Sequence, residues 1–110
     1  MTERETLLER WFDLTRRAMP AAAGERRWPV RLDHCFQRIL LDHAVCGPWR
    51  DHLAAPAWRH ASNEQLARAV ALGEAALAGE ADLAVLNARS LHWRGKRGPK
   101  GRREQGSPAT

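Results

Sequence analysis

The sequence predicts an all-α protein, a small irregular four-helix bundle with a disordered basic C-terminal tail. Hydrophobic residues make up 44% of the chain and are mostly Ala and Leu, whereas Tyr is absent, and this composition favours helices over strands. Apolar residues recur at helical spacings, and no alternating run is long enough to predict a strand. A chain of 110 residues is one domain at most. We expect a folded domain over 1–92 and a tail over 93–110, with the main helices at roughly 3–18, 30–46, 63–78 and 81–92.

The first helix is predicted to begin at a capping box, because Thr2 and Glu5 have the required S/T-x-x-E spacing. An apolar stripe that includes Trp11 follows at helical spacing. Proline cannot continue a helix, so Met19-Pro20 is predicted to end this one. Residues 20–28 are then interpreted as a linker.

The central helix, 30–46, contains both cysteines and the densest apolar run. Its predicted apolar stripe is Leu32, Cys35, Phe36, Ile39, His43 and Cys46. Leu41 and Val45 lie on the opposite side of the helical wheel, so we expect this helix to be covered on two faces. Gly47-Pro48 is predicted to end it, since Gly accepts a left-handed cap.

His43 and Cys46 lie one turn apart on this stripe. They are interpreted either as a ligand, metal or catalytic pair, or as a core histidine beside a buried thiol, and the second interpretation is favoured. Cys35 and Cys46 are separated by about 16 Å of helix, too far for a disulfide, which needs Cα atoms within about 7 Å. The chain has no CxxC or HExxH pattern, so no metal and no cofactor is predicted. His34 and Asp42 are the other candidates for catalysis.

Trp49 and Trp58 flank a proline-containing segment after the central helix. We expect them to fold back over the core, because each tryptophan buries a large apolar area. The alternative is an aromatic binding surface with Arg50 and Arg59 beside it.

The third helix is predicted to open at a second capping box, Ser62 with Gln65. Gly73 on its apolar stripe predicts the close approach of a neighbouring helix. Gly79 is expected to cap its C-terminus.

Residues 71–90 also resemble a helix-turn-helix, which would place Asn87, Arg89 and Ser90 on a DNA-recognition helix. Glu74 and Glu80 depart from this motif, because they stand where it usually has apolar residues. The hairpin without DNA reading is therefore favoured.

The charge of the chain is concentrated at its end. Residues 1–92 contain 12 Arg and 12 acidic residues, so the whole net charge of +5 lies in 93–110. Basic residues interrupted by glycine attract phosphate without sequence preference. KRGPKGRR loosely resembles an AT-hook, but the arginine after the central Arg-Gly is missing. The predicted nucleic-acid-binding residues are Arg94, Lys96, Arg97, Lys100, Arg102 and Arg103.

Three runs, RLDHCFQRILLD, LARAVALGEAALAGEADLAVLNARSL and WRGKR, resemble a family of short uncharacterised bacterial proteins over about residues 29–97. Some members are labelled GCN5-related N-acetyltransferase. The resemblance implies a shared fold. The acetyl-CoA loop of that superfamily, R-x-x-G-x-G/A, is missing here, so the resemblance carries over no catalytic residue.

The first functional hypothesis is a small cytoplasmic binding or accessory protein that contacts nucleic acid through its basic tail. The second is a small enzyme or a metal or cofactor protein that uses His43 and Cys46. The third is an adaptor for a protein partner, or a homodimer. No signal peptide or membrane-spanning run is recognised, and two unpaired cysteines are typical of a reducing cytoplasm.

Overall fold

The computed structural model describes residues 1–95, which are helical and contain no strand. The all-α prediction is therefore confirmed. The elements are α1 (Glu3–Asp13), a π-helical segment (Leu14–Ala18), α2 (Met19–Ala23), α3 (Asp33–Val45), a 3-10 turn (Trp49–Asp51), α4 (Ala57–His60), α5 (Asn63–Leu77) and α6 (Leu83–Trp93). Residues 96–110, most of the predicted tail, lie outside the described residues.

The first helix does not end at Met19-Pro20, contrary to the sequence prediction. It continues through the π-helical segment into α2 and stops only after Ala23. Pro20 lacks an N–H and its ring clashes with the carbonyl four residues back. The wider π turn accommodates it, because the N–H of Met19 bonds to Leu14, five residues back. Residues 20–23 therefore belong to the helix and not to a linker.

Helix α3 is the central element, and it is covered on more than one face as predicted. Its fully buried apolar side chains are Phe36, Ile39 and Leu40, and Leu41 is only 4% exposed. The predicted stripe was wrong at its two ends, because Leu32 and Cys46 are both exposed. Cys46 itself takes the left-handed cap position, with φ of 60°.

At Gly73, three helical segments approach closely. A Cβ atom at this position would lie 2.5 Å from Cδ2 of Leu14 and 3.1 Å from Cδ1 of Leu40. The predicted close approach is thus confirmed, and it brings the π-helical segment and α3 against α5.

Both predicted capping boxes are present. The Thr2 and Ser62 hydroxyls accept hydrogen bonds from the backbone N–H of Glu5 and Gln65, and the reciprocal bonds also form. The end of α4 is joined to α1 by Arg4, which donates to the carbonyls of Trp58, Arg59 and Ala61. These bonds hold α4 beside α1, where the two elements form walls of a cleft.

Candidate functional site

A buried carboxylate, Asp42 of α3, organises the polar part of the structure. Its side chain is fully buried and accepts four hydrogen bonds. Oδ1 accepts from the backbone N–H of Trp49 at 2.9 Å and from Nη2 of Arg94 at 2.8 Å. Oδ2 accepts from Nε of Arg94 and from Oγ of Ser90, both at 2.7 Å. Asp42 therefore joins α3 to the 3-10 turn and to the end of α6.

Arg38 extends this network by one turn of α3. Its guanidinium donates to Oγ of Ser90 at 2.7 Å and to Oδ1 of Asn87 at 2.7 Å. Because the Ser90 hydroxyl donates to Asp42 and accepts from Arg38, its proton has a defined place. Ser90 is fully buried, and its hydroxyl is committed to these bonds rather than free to act as a nucleophile.

The two arginines of the network are shifted in opposite directions. Burial lowers the pKa of Arg38, because the charged form loses solvation. The hydrogen bond to Asp42 raises the pKa of Arg94. Both side chains stay cationic near neutral pH, since an arginine guanidinium is not deprotonated in proteins.

A cleft of about 550 Å³ opens beside this network, with Arg38 and Arg94 in its lining. It is lined by the first helix, the start of α3, the 3-10 turn and α4. The cationic lining side chains are Arg16, Arg38, Arg50 and Arg94, and the aromatic ones are Trp11, Phe12, Trp49 and Trp58. The lining is completed by His34, Gln37, Leu41, Pro56 and Ala57.

Two of the lining arginines lie against aromatic rings of the cleft. The guanidinium of Arg16 lies 4.0 Å from the ring centre of Phe12, and that of Arg50 lies 5.1 Å from the ring of Trp49. Phe12 also meets Trp58 edge to face, with ring centres 5.6 Å apart. These contacts restrain the rings and set a positive charge beside Phe12 and Trp49.

The deepest aromatic side chain of the cleft carries an unused donor. Trp11 is 1% exposed, and within the described part of the chain its indole N–H has no hydrogen-bond partner. Buried polar groups are usually paired, so this N–H is an exception.

The lining suits anion binding better than proton transfer. No Asp or Glu of residues 1–95 lines the cleft, and arginine cannot act as a general base. His34 is the lining side chain that can exchange a proton, and it is exposed beside Asp33, with 3.8 Å between Nδ1 and Oδ1. Asp42 and Asp51, which act on Arg94, are not part of the lining. The cleft is therefore cationic.

His43 and Cys46 do not form a joint site in this structure. The His43 ring is half-buried, its Nε2 lies 3.0 Å from the carbonyl of Leu86, and its face meets Trp93 edge to face. The Cys46 thiol is exposed and lies 3.8 Å from the backbone carbonyl of His43. His43 thus has the single hydrogen bond of a structural histidine, whereas Cys46 is not the buried thiol that the sequence suggested.

The predicted nucleic-acid-binding residues divide at residue 95. Arg94 is in the described part, where its side chain is 21% exposed and bound to Asp42 at the cleft. It therefore belongs to the folded domain, although the sequence placed it in the tail. Lys96, Arg97, Lys100, Arg102 and Arg103 lie outside the described residues.

The helix-turn-helix alternative, which the sequence disfavoured, is not supported at two of its three residues. Asn87 and Ser90 are buried against Arg38 and Asp42, so they are not available to contact bases. Arg89 is exposed on α6.

Sequence reasoning missed Arg16 and Arg38 as site residues, because each is one of many arginines on predicted helices. Trp49 and Trp58 were assigned to the core, with a binding surface as the alternative. Trp49 does pack partly against the core, but Trp58 is 37% exposed and both line the cleft. One signal in the sequence could have indicated the polar network. Asp42 is a carboxylate inside the densest apolar run, and a buried carboxylate requires hydrogen-bonding or charged partners.

Comparison with known proteins finds no matching family model, no matching curated protein and no matching solved structure. The resemblance to short bacterial proteins stays a prediction. No group of three or more His, Cys, Asp or Glu side chains among residues 1–95 is placed to hold a metal ion. In the same residues, no helix combines the length and the apolar character that crossing a bilayer requires.

Proposed function

We propose that the protein is a cytoplasmic nucleic-acid-binding protein whose contact surface joins the arginine cleft to the basic segment after Arg94. The observation that carries the proposal is the convergence of four arginines and three tryptophans on one cleft that no described carboxylate lines. Arginines bind phosphate, and aromatic rings provide faces for bases, so the two together are typical of nucleic-acid sites.

The position of Arg94 supports a single continuous surface. Arg94 lines the cleft and is held there by two hydrogen bonds to Asp42. Gly95 is the last described residue, and Lys96, Arg97, Lys100, Arg102 and Arg103 follow Arg94 closely in the sequence. A chain extends by about 3.3 Å per residue, so these charges can reach phosphates next to a strand in the cleft.

The enzyme or metal alternative has weaker support. His43 is bonded to a backbone carbonyl, and the Cys46 thiol contacts only the backbone oxygen of His43 among the bonds of the described residues. A protein adaptor or a homodimer stays a prediction, since no particular contact of the described chain favours it.

The test is a binding titration of the full chain with single-stranded and duplex DNA across about 50–300 mM salt. One variant replaces Lys96, Arg97, Lys100, Arg102 and Arg103 with glutamine. A second variant is Arg16→Gln/Arg50→Gln, which removes two exposed cleft charges without touching the Asp42 network. Substitution is preferable to truncation after residue 92, because truncation would remove Arg94 and leave Asp42 unpaired. The control is Arg89→Gln, which removes one exposed charge outside the cleft.

Both multiple variants are expected to bind more weakly and with a shallower salt dependence. For single strands, each lost phosphate contact should flatten the slope of log K against log salt by about 0.7. Arg89→Gln should leave affinity and slope close to those of the wild type. Absence of binding to either DNA at low salt would refute the proposal, and an effect confined to Arg89→Gln would move the interface to the outer face of α6.

A further inference from the structure

We infer that the cleft binds an unpaired nucleotide, with the base against its tryptophans and the phosphate on its exposed arginines. This inference rests on the proposed function and adds a class of ligand, a single strand or a free nucleotide as opposed to a duplex. It is carried by the aromatic lining, which phosphate binding alone does not require.

The aromatic side chains can be reached only by a base that is free of its partner. In a duplex the base faces are stacked inside, so a duplex presents phosphates to the arginines and no ring to Trp58. Trp58 is 37% exposed as a residue, and its ring is restrained by an edge-to-face contact with Phe12 at 5.6 Å. An exposed, restrained aromatic face is the platform on which proteins stack single-stranded bases.

The dimensions of the cleft match one small ligand. Its volume of about 550 Å³ is within the range of pockets that enclose a single small molecule, about 300–1,000 Å³. Arg16 and Arg50 lie beside Phe12 and Trp49, so a cation stands next to each of these rings. A ligand that joins a flat ring to an anion, as a nucleotide does, satisfies both kinds of lining.

The inner end of the cleft supplies directional groups. Arg38 and Arg94 are held by Asp42, Asn87 and Ser90, so they need little further ordering when a ligand binds.

The experiment compares four probes against the full chain at one salt concentration. They are a labelled twelve-nucleotide oligothymidylate, a blunt duplex of equal length, thymidine monophosphate and inorganic polyphosphate. The variants are Trp58→Ala and Trp58→Phe. The control is Val85→Ala, which truncates an exposed apolar side chain that lies on α6, outside the cleft. Circular dichroism melts verify that each variant is folded.

The oligothymidylate is expected to bind more tightly than the duplex and the polyphosphate. Trp58→Ala should weaken its binding about tenfold, equivalent to ~1.4 kcal/mol, which lies in the range for loss of one stacked base. Trp58→Phe should lose less, and the duplex and polyphosphate affinities should stay unchanged. Val85→Ala should change none of the four.

The other outcomes of this experiment decide between the inference and the proposed function, or overturn both. Equal affinity for single strand, duplex and polyphosphate, unaffected by Trp58→Ala, overturns the inference and leaves general nucleic-acid binding intact. If thymidine monophosphate binds as tightly as the oligonucleotide, with the same loss on Trp58→Ala, the ligand is a free nucleotide and the proposed function fails. If none of the four probes binds, both fail.

Discussion

Replacing Asp42 with asparagine tests whether the buried network holds α3, α6 and the 3-10 turn together. The substitution keeps the shape of the side chain and removes its charge. The amide keeps one oxygen, but its NH2 group then faces the donors that now bond to a carboxylate oxygen. At least two of the four hydrogen bonds of Asp42 are lost, and Arg94 and Arg38 remain near each other without the intervening negative charge.

The magnitude follows from the burial of the pair. A hydrogen bond to a charged group contributes about 1.5–3 kcal/mol, and removal of one partner from a buried ion pair costs about 3–5 kcal/mol. Arg94 is 21% exposed, so it can partly recover its solvation, which favours the lower end. We expect Asp42→Asn to reduce the free energy of unfolding by about 3 kcal/mol, a fall in Tm of roughly 12–24 °C for a domain of this size.

The assay is urea unfolding of the full chain followed by circular dichroism, with Glu80→Gln as the control for loss of an exposed carboxylate. The control should shift stability by less than about 0.5 kcal/mol. The double variant Asp42→Asn/Arg94→Gln should lose less than the sum of the two single variants, because it also removes the Arg94 guanidinium that Asp42→Asn leaves without its carboxylate. If Asp42→Asn behaves like Glu80→Gln, the reasoning about the network is refuted.

Three further predictions concern the helices that position the cleft. Gly73→Ala should destabilise the protein by about 1–2 kcal/mol in thermal melts, because the added Cβ would overlap Leu14 and this crowding outweighs the gain in helix propensity. In the double variant with Leu14→Ala, part of that cost should be relieved. A simple sum of the two losses would contradict the overlap. Ser62→Ala should cost about 1 kcal/mol in urea unfolding, because the capping bond to Gln65 is lost, whereas Ser62→Gly should cost only a few tenths. The pKa of Glu5 is lowered from its ordinary 4.5 by the hydrogen bond to the Thr2 backbone, so the stability that the Glu5 carboxylate contributes is present above 4.5 and is lost as pH falls through the folded pKa. Glu5→Gln should therefore lose less stability than the wild type when the pH falls from about 5 to 3. Identical stability curves for the two proteins would contradict this prediction.

Local patterns predicted the helices well, because caps and periodicity act over a few residues. The capping boxes at Thr2 and Ser62 and the close approach at Gly73 were all readable from the sequence and are present. The prediction that the first helix ends at Pro20 was wrong because a π turn accommodates a proline that would otherwise end the helix.

The cleft was not predictable in the same way, because it depends on contacts between distant parts of the chain. Arg38 and Asn87 are separated by 49 positions, and Asp42 and Arg94 by 52. No local spacing indicates that these side chains meet. Arg94 was assigned to the tail because the composition changes at Trp93, whereas its partner, the buried Asp42, holds it in the fold.

The most direct test of nucleic-acid binding in the cleft is an NMR titration of the tryptophan indole N–H signals. The chain has five tryptophans, of which Trp11, Trp49 and Trp58 line the cleft. Added oligothymidylate is predicted to shift the signals of these three, while Trp28 changes little. Shifts confined to backbone amides after Gly95, with all five indole signals unmoved, would show that the basic segment binds without the cleft and would contradict the account.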